Sequence, residues 1–374
     1  MWFSLRDVRR HRARFALLGL LVALVGGLVM VLTGLGKGLA DASVSAMLRM
    51  PGDAVVMQSD VRSFLARSTV TADQLAATSQ VAGVARVDAL GATTVSARTS
   101  DSSPANDITL FGVEPSGGLV PPGADLSQPG TAWADEHLLD KGVAVGDTLT
   151  LEPSKRQVRV AGFLDLGTYS HLPAVYVSLA EWQAVKFGPV DGVGPVPASA
   201  SRLASAGVIT YAEGADRAAV AAAIDAAVPR TEVLDRDAAI AATPGYKEET
   251  GTVDLMVGFL YVVAALVIGV FFWNAALART GEIALLRAIG ATRGRTVREH
   301  LSQVLLVAVA GTVLAAVGSL GLAALLPSGV PFLLPAGAVV STALLFVVIA
   351  LLAGVAPVRR ITRVDPLLTL GRHS

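Results

Sequence analysis

Two groups of side chains are spaced to act together. Tyr246, Glu249, Val253 and Met256 follow a 3-4-3 pattern, which places them on one helical face with a phenol and a carboxylate as oxygen donors. Gly26, Met30 and Gly34 are four apart and also share a face. Two glycines around a methionine leave a flat notch holding one soft, polarisable thioether, in which a planar macrocycle can lie. Both patterns have a plainer reading. Small residues at four-residue spacing let helices pack closely in a membrane. A tyrosine at a membrane boundary is a common interfacial anchor, beside which Glu249 is simply hydrated. Tyr169 and His171 form a third, weaker pair, because a lone histidine is more often structural.

Catalytic chemistry is not expected. The five histidines (His11, His137, His171, His300 and His373) show no H-E-x-x-H or paired spacing, and no G-x-S-x-G elbow occurs. Exterior acids such as Asp135-Glu136 are read as a solvated surface. The absence of cysteine excludes disulfides, thiolate metal sites, thiol nucleophiles and C-x-x-C-H haem attachment. The five lysines (Lys37, Lys141, Lys155, Lys186 and Lys247) are followed by Gly38, Gly142, Arg156, Phe187 and Glu248. None begins the Lys-Ser/Thr step of a P-loop, so any ATP-driven motor is another polypeptide. No resident metal or cofactor is expected, and no nucleic acid among the partners.

The elements that position these residues are set by hydropathy. The chain has 374 residues, is 53% hydrophobic and has a mean hydropathy of +0.59, with its apolar residues in blocks. No Asp, Glu, Lys or Arg occurs over Phe15 to Gly36, Leu255 to Ala278 or Leu301 to Val358. The last run holds two spans divided by Pro327 to Pro335, since one span needs about 20 residues. Spans are expected at 15–36, 253–278, 301–326 and 336–357. The first exceeds the roughly 7–15 apolar residues of a signal peptide.

The net charge of zero is a cancellation. Residues 1–14, 279–300 and 358–374 carry 14 basic residues against four acids, a net of +10. The segment 37–254 carries 16 basic and 26 acidic residues, a net of −10. The positive-inside rule then puts both termini and the 279–300 loop in the cytoplasm. Residues 37–252 and the short 327–335 loop lie outside, in a multi-pass protein of the cell membrane.

The exterior segment reads as α+β. Strands are expected at Val55 to Met57, Val84 to Val95 and Ile108 to Val113, and a helix after Thr71, with Gln74 completing a capping box. Lys141 to Leu151 turns into an alternating strand answered by Gln157 to Phe163. Ala215 to Ala227 is an Ala-rich helix, and Val190 to Ser199 a Pro/Gly-rich loop.

Between the second and third spans, Glu282, Ile283, Leu286, Arg287 and Ile289 belong to a basic amphipathic stretch stopped by Gly290. It is either a connector lying on anionic lipid or a coupling helix docking into an ATPase.

Glu282-Ile283-Ala284-Leu285-Leu286-Arg287-Ala288-Ile289-Gly290-Ala291-Thr292 resembles the cytoplasmic signature of the MacB/FtsX-type ABC permeases. Ala356-Pro357-Val358-Arg359-Arg360 and Asp365-Pro366-Leu367 are similar to that family's C-terminal pattern, and the one-plus-three spans extend the resemblance over the whole chain. It implies a homodimer bound to two copies of a separate ATPase, with Glu282 to Gly290 as the coupling segment. Val29 to Leu35, Tyr169 to Val175 and Pro244 to Glu249 look most like the hemin-exporting permeases of the HrtB type. On that resemblance haem is the transported substrate. Met30, Gly26 and Gly34 become candidate contacts, as do Tyr246, Glu249, Tyr169 and His171. Tyrosinate is a known ligand of ferric haem. Hemin dissolved in the bilayer would enter between spans 1 and 2, to be squeezed outward when the motors close. Related permeases instead export a lipid, lipoprotein or glycolipid, or regulate a cell-wall hydrolase in the FtsX manner.

Overall fold

The computed structural model describes residues 12–59, 61, 64–99, 104–190, 192, 194–278, 292–327 and 329–361. The chain forms two compact units. One is made of the residues up to Gly38 and from Thr250 onward, the other of Leu39–Glu249.

Four helices carry the apolar runs. They are α1 (Arg12–Arg49), α6 (Tyr246–Leu277), α7 (Arg293–Ala323) and α8 (Ala336–Ile361), and each contains a stretch long and apolar enough to cross a membrane. All four are longer than the expected spans, α1 most of all. At 38 residues α1 is about 57 Å long, almost twice the roughly 30 Å hydrocarbon core. Lys37 and Asp41 end its apolar run without ending the helix, because Leu39, Ala40, Ala42 and Ala46 keep helix propensity high. Helix α6 starts at Tyr246, directly after Gly245 with its φ of +83°.

Within the membrane unit Leu18, Val22, Val29, Ile268, Phe272, Val304 and Phe346 pack together. Leu24, Leu28, Phe259, Leu266 and Leu344 are exposed, as suits a surface solvated by lipid. Polar side chains here bond to backbone: Thr312 Oγ1 donates to Ala308 O at 2.9 Å and Ser319 Oγ to Gly27 O at 3.4 Å.

The exterior unit begins with β1 (Ala54–Gln58), β2 (Val70–Thr71), α2 (Ala72–Ser79), β3 (Val84–Arg98), β4 (Asn106–Val113) and β5 (Thr131–Asp135). It continues through β6 (Thr148–Glu152), β7 (Arg156–Leu164), β8 (Thr168–Tyr169), β9 (Leu172–Ser178) and α3 (Leu179–Phe187). It ends with β10 (Leu203–Ala204), β11 (Ala206–Tyr211), α4 (Arg217–Ala227), β12 (Thr231–Asp235) and α5 (Arg236–Ala241). The main sheet runs β12-β1-β11-β3-β4-β9-β5-β7-β6, and β6 pairs again with β3. Six strands thus close into a ring, which removes two sheet edges. The expected β6–β7 pair is antiparallel, with Leu149 opposite Val158. Alternation decides which side faces in: Val158 and Val160 are buried while Gln157 and Arg159 are exposed. Thr71 and Gln74 make the expected capping box on α2.

Under the ring, α3 buries Trp182 completely and brings Lys186 over it. The Lys186 ammonium donates to Ala66 O at 3.1 Å and stands 5.0 Å from the Trp182 ring. Burial nevertheless pulls its pKa from 10.5 down to about 8. The unfolded chain holds this proton up to about pH 10.5 and the folded domain releases it near 8, so stability rises with pH across that interval. Buried Tyr169 has the opposite sign. Burial raises its pKa from 10.0 to about 12, so above pH 10 unfolding gains a deprotonation and stability falls. Urea melts followed by tryptophan fluorescence are expected to give a midpoint that climbs from pH 8 toward 10 and then drops. Lys186→Met should flatten the climb and keep the drop; an unaltered climb would refute the assignment.

Candidate functional site

Three elements of the exterior unit meet around one imidazole. They are the last turns of α1, the turn between β8 and β9, and the first turn of α6. His171 Nε2 lies 3.1 Å from Ser43 Oγ and 3.0 and 3.2 Å from the two oxygens of Glu249. Ser43 Oγ is also 3.1 Å from Glu249 Oε2 and from Leu39 O. The hydroxyl carries one proton, so it donates to one of these acceptors at a time. The His171 and Glu249 side chains are 40% and 37% exposed, which leaves them open to a ligand.

Serine, histidine and glutamate here do not make a nucleophilic relay. That relay needs the serine and the acid on opposite ring nitrogens. In this cluster both address Nε2. What the arrangement can do is position an imidazole and a carboxylate side by side. Ser170 and His171 both adopt left-handed backbone, with φ of +52° and +64°. Each costs about 1–3 kcal/mol for a residue with a Cβ. Ser170 N donates to Ser43 O at 2.9 Å and His171 N to Ala42 O at 3.0 Å, which holds the turn against α1.

The preceding residues strengthen that strap. Thr168 N donates to Ser45 Oγ at 2.9 Å, and Thr168 Oγ1 to Ala42 O at 2.7 Å. Arg49 pairs with Asp165 at 2.9 Å. Gly167, at φ +77°, lies so close to α1 that a Cβ would stand 2.8 Å from Ala46 N. On its other side Gly167 N donates to Asp135 Oδ2 at 2.6 Å, and Leu166 N to the same oxygen at 3.0 Å. Asp135 is thus fully buried, not part of a solvated surface; only its neighbour Glu136 is exposed. A carboxylate that accepts several backbone N–H bonds can be withdrawn from water.

The other expected contacts divide. Tyr246 lies half-buried one turn before Glu249. Tyr169 is a core residue, 3% exposed with its ring 6.0 Å from that of Phe111, and does not present its phenol outward. Met30 is fully buried. A Cβ on Gly26 would meet Ala315 and Phe346, and one on Gly34 would meet the Phe332 ring at 2.5 Å. The face of Gly26, Met30 and Gly34 is therefore filled by the chain's own side chains, as in close helix packing, and offers no open notch. Val253 packs on Gly36, while Met256 is exposed. Glu282, Ile283, Leu286, Arg287, Ile289 and Gly290 lie outside the described residues. Among the described residues no group of three His, Cys, Asp or Glu could hold a metal ion. Ser43, central to the cluster, carries no sequence signal beyond its place in the helical continuation of an apolar span.

Residues 15–227 match the profile of the MacB-like periplasmic core domain and residues 255–366 that of the FtsX-like permease C-terminal region. The chain belongs to the MacB/FtsX family of ABC transporter permeases, membrane subunits that work with a partner ATPase subunit. It is 21% identical over 373 residues to the putative hemin transport system permease protein HrtB of Staphylococcus haemolyticus, covering 98% of each chain. It is 25% identical over 387 residues to an uncharacterized ABC transporter permease of Mycobacterium tuberculosis, covering 99% of each. Among solved structures it is similar to the extracellular domain of the transporter YknZ from Gram-positive bacteria. That likeness has 19% identity and a TM-score of 0.34, over 49% of this chain and 100% of that one. The periplasmic region of MacB from Actinobacillus actinomycetemcomitans gives 11% identity and a TM-score of 0.36, over 52% and 92%.

Proposed function

We propose that this permease exports hemin from the membrane as a homodimer with two copies of its ATPase. In this reading both termini and the 279–300 loop are cytoplasmic, and the Leu39–Glu249 unit is outside. Hemin reaches the pump from the bilayer. ATP-driven closure is passed through Glu282 to Gly290, and the substrate leaves outward. The observation that carries the reading is the convergence of His171 and Glu249 at 3.0 Å, with Tyr246 one helical turn before Glu249 on α6. Imidazole and phenolate are ligand types that ferric haem accepts. The kinship at about a fifth identity with permeases named for hemin transport supports the same substrate.

Hemin titration of the full-length permease with its ATPase tests this through the Soret band. A saturable shift is expected, weakened at least tenfold by His171→Ala, Glu249→Ala or Tyr246→Phe, which is about 1.4 kcal/mol. Met30→Ala should leave the affinity of the folded fraction unchanged. A saturable shift indifferent to all three variants would remove the site. No saturable shift at all would remove hemin and favour export of a lipid or lipoprotein.

A further inference from the structure

The exterior unit has a concavity that shares no residue with the His171 cluster. A cleft of about 690 Å³ opens beside the N-terminal turn of α3, lined by Leu75, Leu126, Leu179 and Val196 among its apolar walls. That volume falls in the range of small-molecule pockets, roughly 300–1,000 Å³. Arg156, the first residue of β7, supplies the cation on its wall.

This guanidinium is poorly satisfied. Its Nη2 donates to Gly194 O at 3.3 Å, its Nη1 is 3.8 Å from Glu181 Oε1, and its buried Nε has no hydrogen-bond partner among the described residues. Arginine carries five N–H donors, and a half-buried charge with only long contacts is stabilised by any oxygen brought to it. The other arginine lining the cleft, Arg202, is already paired with Asp73.

The backbone adds donors of the same sense. Ser178 caps α3 and accepts from Glu181 N at 3.2 Å, while the N–H groups of Leu179 and Ala180 stand in the helix's first turn. Such groups have no partner within the helix and favour negative charge. Both residues line the cleft. Glu181, also on the wall, is the internal competitor, and burial raises its pKa.

We propose that this cleft binds a small carboxylate-bearing molecule with an apolar body. The ligand's carboxylate takes up Arg156 and the first turn of α3, displacing the loose contact of Glu181, and its body lies against the leucines.

Naphthoate, with naphthamide as its uncharged counterpart, tests the site on the full-length protein in nanodiscs, read by fluorescence anisotropy against empty nanodiscs. Naphthoate is expected to bind saturably, one per chain, and naphthamide at least tenfold more weakly. Arg156→Gln should weaken naphthoate at least tenfold, and Ala180→Phe, which fills the cleft but keeps the arginine, by a similar factor. Glu181→Gln should tighten it severalfold by removing the competing charge, a gain that a purely structural glutamate would not produce. Arg202→Gln should leave it unchanged. Absence of saturable binding, equal affinity for naphthamide, or indifference to both Arg156→Gln and Ala180→Phe overturns the proposal. These outcomes are independent of whether hemin is the exported substrate.

Discussion

Gly38→Val is expected to abolish the folded permease, and even Gly38→Ala should lower its yield and melting midpoint sharply. A Cβ at Gly38 would stand 2.2 Å from Pro331 O, 2.3 Å from Pro331 C and 2.6 Å from Phe332 N. All three are backbone atoms, so no rotamer change relieves the collision. The 329–335 segment is also tied to the same helix by Leu333 N, which donates to Gly34 O at 3.0 Å. Overpacking a filled site costs about 1–3 kcal/mol, and a backbone obstacle belongs at the upper end of that range or beyond. Gly251→Ala and Gly258→Ala, where a Cβ meets nothing within 4 Å, serve as controls. They should behave as wild type, since alanine favours helix over glycine. The readouts are monodisperse yield after detergent extraction and the thermal midpoint. Wild-type values for Gly38→Ala would show that the 329–335 segment does not pack on α1 as described.

The second large effect is expected at Asp135. Its carboxylate accepts from Leu166 N, Gly167 N and His137 N, at 3.0, 2.6 and 3.1 Å. Asp135→Ala leaves these donors without an acceptor, two of them in buried surroundings. Each stranded donor costs about 1–3 kcal/mol, so a loss on the order of 3–5 kcal/mol is expected. Asp135→Asn keeps one oxygen acceptor and should lose clearly less. Urea melts of the exterior unit within the full-length protein, followed through Trp133 and Trp182 fluorescence, measure the difference. The Leu166 to His171 turn should loosen as well, seen as faster amide exchange there. An Asp135→Ala protein as stable as wild type would mean that water replaces the carboxylate in that pocket.

Glu136→Ala, one residue on, should change little, because that side chain is exposed. Adjacent acids with such unequal expected effects show where reading from sequence stops. Asp135 and Glu136 look alike as a pair of charges. Burial of the first depends on where β5 ends, and on the 164–168 segment returning to it after β7. Both follow from a parallel β5–β7 pairing that local alternation does not announce. The antiparallel β6–β7 pair was legible because its partners are a few residues apart and alternate apolar with polar.

The membrane helices, their one-plus-three order, the excess of arginine in the short loops and the absence of a P-loop are all properties of sequence alone. They are sums over neighbouring residues, and a bilayer responds to such sums without needing to know the fold. The extent of α1 and α6 beyond the apolar runs already needed the structure, because helix propensity persists after hydropathy ends. The candidate site needed it entirely. Ser43 and His171 are 128 positions apart, and Glu249 is 206 positions from the one and 78 from the other. Spacing relates residues that share one helix, as it did Tyr246 and Glu249, but it carries no distance between elements. The same limit explains Met30. Its four-residue spacing from Gly26 and Gly34 correctly marked one face, and only the packing of Ala315, Phe346 and Phe332 decided that this face is closed.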